Sequence, residues 1–254
     1  MNGVPKANDD RRLTRVGAAS VQTYARIAGA LLLVSMVAGF FGEVYVPSKI
    51  IVSGDANATA RNITTFSSLF RLGFASYLVE ALCDVALSLI FYVLLRPVHR
   101  DLALLAAFFG LISTALFGVA ELFYFMAPII LGGTADLKAF SPDQLNTLAM
   151  LSLKIYGYGG GIFMVFYGVA AVLRGYLIFR SGYLPRALGV LLALAGAGFI
   201  AKNFALVLAP AYASDALLLP MFLAGVSLMV WLLVKGVDVS QWEAKAVAFE
   251  APPG

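Results

Sequence analysis

Six apolar runs, separated by short polar segments, set the pattern of this chain. Each approaches the length of helix needed to cross a bilayer, about 20 residues. The first covers about 26–46, and Pro47 ends it. The second covers about 72–95 and is closed by Arg96-Pro97, because proline cannot continue the i to i−4 ladder. The third covers about 102–131 and stops at Gly132-Gly133. Ser141-Pro142-Asp143-Gln144 opens the fourth: Ser141 caps, Pro142 suits the first helical position, and Gln144 reaches back to the cap. That helix is predicted over 142–173, with room to extend toward Phe179. The fifth covers about 185–208, bounded by Pro210, and the sixth about 216–234. Between the first two runs, Asp55 reads as the N-cap of a short helix through Ile63 and Phe66.

The predicted fold class is therefore all-α: a polytopic membrane protein built as a six-transmembrane-helix bundle. Residues 1–23 are polar, carry Lys6, Arg11, Arg12 and Arg15, and are predicted to be disordered. Residues 24–236 form the membrane domain, and 237–254 read as a loose polar tail. The first run continues to Val46 without a clear small-residue cleavage site, so it reads as an uncleaved helix, not a signal peptide.

Composition sharpens this picture. Hydrophobic residues make up 61% of the chain and charged residues 13%. A soluble domain carries about 25% charged residues. The net charge of +4 would suit a nucleic-acid partner, but the basic residues lie scattered in short loops, as membrane topology demands. Arg96, Arg100, Arg174, Arg180, Arg186, Lys235 and Lys245 fall on the side of the N-terminal basic cluster. Lys49, Arg61, Arg71 and Lys138 fall on the other. Positive residues mark the cytoplasmic face, so the expected topology has both termini inside a plasma (inner) membrane. The expected surroundings are the lipid bilayer, with a homo-oligomer or a membrane partner protein allowed. Cys83 and His99 are each the only residue of their kind, which excludes an intrachain disulfide and the common zinc ligand sets. No metal and no cofactor is expected.

Charges inside the apolar runs carry the functional reading. Glu80, Asp84, Glu121, Lys154 and Lys202 lie within runs, and Glu43 lies near the end of one. A charge at the bilayer centre costs about 2.5–3.5 kcal/mol on insertion scales, so these groups must pair, protonate or face water. At about 1.5 Å per residue from the cytoplasmic ends, Asp84 stands about 18 Å up and the others about 24–30 Å. In a core about 30 Å thick, all fall between mid-bilayer and the outer boundary. Glu80 and Asp84 are four apart and share a helix face. Lys154 and Lys202 are the expected partners, and Asn203 adds a donor and an acceptor. The expected ligand or proton site is Glu80, Asp84, Glu121, Lys202 and Asn203, with Glu43, Lys154, Tyr156 and Tyr158 as secondary members. Tyr156-Gly157-Tyr158-Gly159-Gly160-Gly161 either lets another helix approach closely or breaks the fourth helix at mid-membrane, as transporters do.

Four stretches carry a family resemblance. They are GDANATARNI (54–63), LFRLGF with CDVALSLIFYVLLRPVHRDLALLA (within 69–106), GYLIFRSGYLPRALGVLLALAG (175–196) and WLLVKGV (231–237). With these, the chain resembles the bacterial and archaeal membrane proteins grouped as domain of unknown function 4386, over about residues 20–238. The resemblance implies a six-helix integral membrane protein and brings no activity. Asp55, Arg71, Asp84, Arg96 and Arg180 fall in the matching stretches. Gly110 stands where family members often carry arginine.

Three functions are compatible with these residues. The preferred one is a small-solute or proton-coupled transporter or receptor, binding a small polar or cationic ligand at the charged layer. The alternative is a structural or accessory membrane subunit whose charges pair internally. The third, an intramembrane enzyme, would need Glu80 or Asp84 as a general base and has no histidine in the spans to help it.

Overall fold

The computed structural model describes residues 7–133 and 137–250. Among them the chain is helical throughout, with no strand. The helices are α1 (Ala7–Gly39), α2 (Val46–Ile50), α3 (Ala56–Thr65), α4 (Ser67–Leu95), α5 (Arg100–Leu131), α6 (Pro142–Ser181), α7 (Arg186–Leu208), α8 (Leu219–Val234) and α9 (Val239–Glu250). A π-helical segment, Phe40–Tyr45, joins α1 to α2. Six stretches are long and apolar enough to cross a membrane: Ser20–Ile50, Ser67–Leu95, Arg100–Leu131, Pro142–Ser181, Arg186–Leu208 and Ala216–Val234.

Local chemistry explains the boundaries. The Asp55 carboxylate accepts from the Ala58 N–H at 2.8 Å and starts α3. Ser141 and Gln144 form the reciprocal capping box at the start of α6. His99, between α4 and α5, accepts from the Leu102 N–H through Nδ1 at 3.3 Å. The α6 helix outruns its predicted end at Leu173 by eight residues. No strong breaker follows Leu173, and the stop comes at Gly182, whose φ of 80° places it in the left-handed region.

The spans form a closed ring in chain order. Each of α1, α4, α5, α6 and α7 packs on the next, and α8 returns to α1. At the α6–α7 crossing the backbones touch through glycine. A Cβ on Gly175 would stand 2.6 Å from the Gly189 carbonyl oxygen, and one on Gly189 2.6 Å from that of Gly175. Small residues at such crossings are how membrane helices gain packing contacts. A wide rim of large apolar side chains, among them Leu82, Leu89, Phe108, Leu122 and Val207, points outward, as a lipid-facing surface would.

Two terminal expectations are corrected. Residues 7–23 are helical, and α1 runs on as one helix into the first span. The predicted disorder of residues 1–6 lies outside the described residues. The C-terminal segment is not a loose tail through Glu250, because α9 docks on the bundle. Trp242 Nε1 donates to the Leu94 carbonyl at 2.9 Å, and Lys245 Nζ donates to the Arg180 carbonyl at 2.7 Å. Asp238 starts α9 by accepting from Ser240 and from the Gln241 N–H. The end of the ring that α9 covers carries Arg96, Arg100, Arg180, Arg186 and Lys235, and is called the basic end below.

Candidate functional site

The interior carboxylates come from three spans. Glu43 stands on the π-helical segment, Glu80 and Asp84 on α4, and Glu121 on α5. Glu43, Glu80 and Asp84 are partly buried, and Glu121 is 4% exposed. They lie close enough to act on one another: Glu43 on Glu80 and Glu121, Asp84 on Glu43 and Glu80, Glu121 on Glu80. Glu43, Glu80, Asp84 and Glu121 thus act on one another within one region of the bundle.

The backbone is shaped around them. A Cβ on Gly39 would stand 3.0 Å from both Glu80 oxygens, so glycine lets that carboxylate lie against the first span. The π-helical segment alters the hydrogen-bond ladder at this height, and π-bulges gather at functional sites. The Gly42 carbonyl in it accepts a 2.7 Å bond from the Tyr77 hydroxyl. Tyr77 in turn accepts from the Tyr156 hydroxyl at 2.9 Å. Both hydroxyl protons are thus committed, and the chain runs one way, from Tyr156 to Tyr77 to Gly42. Beside Tyr156 lies Glu121. With its proton spent on Tyr77, Tyr156 leaves the Glu121 carboxyl without a donor from it.

The same conclusion follows from unfilled acceptors. Glu80 Oε2 and both Glu121 carboxyl oxygens are buried without a hydrogen-bond partner among the described residues, as is the Tyr124 hydroxyl. Tyr77, Tyr124 and Tyr156 pack edge-on or tilted, with centroids 5.4–6.0 Å apart, and wall off the Glu121 side of the layer.

On the basic-end side the layer meets a cation that the sequence reading did not place in the site. Arg174 of α6 is 8% exposed and lines the same cavity as Asp84. Its Nη2 donates to Ser88 Oγ at 3.2 Å, and its guanidinium lies 5.3 Å from the Phe91 ring centre. The longer α6 explains the correction: Arg174 sits inside the helix, seven residues before its end, and does not lie in a loop. Lys154 is exposed, and so is Tyr158. Lys202 is half-buried on α7. Its neighbour Asn203 is buried and donates to the Phe199 carbonyl at 2.9 Å, within its own helix. The cation that shares a cavity with Asp84 is thus Arg174, and no ion pair closes between them.

The glycine run does not break α6, which is continuous from Pro142 to Ser181. Gly159 packs against Ala120, and Gly161 lies beside the Asn203 side chain, which is the close-approach role. Gly110 has a clear purpose as well. A Cβ there would stand 2.6 Å from Arg174 Nη2 and 2.7 Å from Ser88 Oγ, so the guanidinium of α6 fills the space beside α5.

The sequence reading did not include Arg174, Ser35, Ser88, Tyr77, Tyr124 or Tyr167 in the site. A signal for two of them was present. Tyr77 precedes Glu80 by three residues and Tyr124 follows Glu121 by three, which puts each tyrosine on its glutamate's helix face.

The family model described as "Domain of unknown function (DUF4386)" matches residues 27–236. The chain belongs to this family. A relative from Archaeoglobus fulgidus (strain ATCC 49558), described as "Uncharacterized protein", is 29% identical over 158 residues, covering 62% of this chain and 80% of the relative. No solved structure matches the chain. The family match includes all four interior carboxylates and Arg174, and its description assigns them no role.

Proposed function

We propose that this member of the DUF4386 family is a proton-coupled small-solute transporter of the plasma membrane, with both termini cytoplasmic and its proton site at Glu43, Glu80, Asp84 and Glu121. One observation carries the reading: Glu80 Oε2 and both Glu121 oxygens are buried beside other carboxylates with no hydrogen-bond partner among the described residues. Ionising them is costly and protonating them is cheap, so proton occupancy and conformation become linked. The basic-end asymmetry supports the orientation.

Reconstituted vesicles loaded with a pH-sensitive dye provide the test. A pH gradient should drive uptake of at least one member of a solute panel, with protons entering alongside. Glu80→Gln and Glu121→Gln should each slow coupled uptake by about tenfold or more, the kinetic size of a 1.4 kcal/mol change. Coupled uptake at wild-type rates in both variants would end the proposal.

A further inference from the structure

Proton coupling leaves the co-substrate unnamed, and one cavity bears on it. It holds about 50 Å³, is only partly open, and is lined from all six spans. Its polar lining is Asp84, Ser88, Thr114, Tyr167 and Arg174. That volume takes a few water-sized atoms, at about 10–15 Å³ each, and nothing as large as an amino acid.

The hydrogen bonds around the cavity leave donors in excess. A guanidinium has five N–H groups, and the bond Arg174 makes among the described residues goes to Ser88. Asp84 accepts its bond from Ser35 at 3.4 Å and faces Arg174 across the open space instead of closing on it. Thr114 spends its proton on the Gly110 carbonyl at 3.1 Å. Arg174 and Tyr167 remain as the donor-bearing residues of the lining. The charges and titratable groups acting with Asp84 are Glu43 from the first span, Glu80 and Cys83 from its own helix, and Tyr167 and Arg174 from α6. Glu121 on α5 adds to the field at Glu80. The lining from α7 and α8, Leu192, Gly225 and Leu228, carries no charge.

We infer that the cavity binds a small monovalent anion, of the size of chloride or formate, held by Arg174 and Tyr167 and bound together with a proton on Asp84. This rests on the proton-coupled reading and names its co-substrate class. With Asp84 ionised, its negative charge compensates Arg174 and repels an anion. When Asp84 takes a proton, Arg174 stands as a buried cation with unfilled donors, and an entering anion restores neutrality. Proton and anion then bind as a pair with no net charge, which limits the cost of carrying either through a low-dielectric bundle.

The experiment uses the full chain in detergent and in vesicles, with gluconate as the bulky replacement anion. Chloride or formate should raise the melting temperature of the wild type, more strongly as pH falls. Arg174→Gln should lose this shift and Arg174→Lys should keep part of it. Asp84→Asn, neutral at every pH, should bind the anion without pH dependence. In vesicles, proton uptake should need the small anion and fall by about tenfold or more in Arg174→Gln, as loss of one charged hydrogen bond implies. Proton uptake that runs equally fast in gluconate would overturn the anion site and leave proton coupling standing. An Arg174-dependent, pH-dependent melting shift without any proton uptake would keep the anion site and overturn the transport reading. If Arg174→Gln melts like the wild type and still gains the full anion shift, the cavity is not the site.

Discussion

At the residue scale, two positions report on the site without touching a solute. Tyr77 is the middle of the one-way hydroxyl chain, 1% exposed, accepting from Tyr156 and donating to Gly42. Tyr77→Phe keeps the ring packing but strands the Tyr156 proton and the Gly42 carbonyl. Stranding a buried polar group costs about 1–3 kcal/mol, so the variant should melt measurably lower in detergent. Gly110 tests the other compartment. Gly110→Ala puts a methyl group 2.6 Å from Arg174 Nη2 and 2.7 Å from Ser88 Oγ. The guanidinium must move, and overpacking of this kind costs about 1–3 kcal/mol, readable as a lower melting temperature.

At the element scale, the same substitution in α6 should act in opposite directions at two glycines. Gly157 has nothing within 4 Å of where a Cβ would be, so Gly157→Ala should stabilise the helix by up to about 1 kcal/mol. Gly175 is pressed against the Gly189 carbonyl and the Ala193 N–H, both backbone, at 2.6 Å. Gly175→Ala should separate α6 from α7, and melting in detergent should fall by several degrees relative to Gly157→Ala. Both glycines look alike in sequence, because what separates them is the neighbouring helix. What was legible was whatever a few adjacent residues decide: the Asp55 cap, the Ser141–Gln144 box, and the close of α4 before Pro97. Pro47 does not end the first span as expected, because it sits in the first turn of α2 and the span runs on to Ile50. Glu80 and Asp84 were legible as one face because four residues of helix put them there. Arg174 was not, because its role depended on α6 continuing to Gly182 and on Gly110 of another span leaving room. The docking of α9 escaped for a similar reason. Its anchors, Leu94 and Arg180 carbonyls, lie far away in the chain.

At the scale of the whole molecule, the ring has a polarity that fixes which compartment each half of the site faces. The basic end gathers Arg96, Arg100, Arg180, Arg186 and Lys235, and α9 closes over it. The far end carries α2 and α3, with Asn146 of α6 donating to Asn57 of α3 at 2.8 Å. In the proposed orientation, with the basic end cytoplasmic, the Arg174 cavity would lie on the cytoplasmic side of the carboxylate layer. The chain's single cysteine makes this directly testable. In a Cys83→Ala background, Arg100→Cys and Lys245→Cys should react with membrane-permeant thiol reagents but resist impermeant ones applied to intact cells. Asp55→Cys and Lys138→Cys should react with both. The reverse pattern would invert the bundle, and a proton entering from outside would then meet Arg174 before it reached Glu121. With the expected pattern it meets the aromatic-walled acids first, and the anion cavity is the last polar station before the cytoplasm.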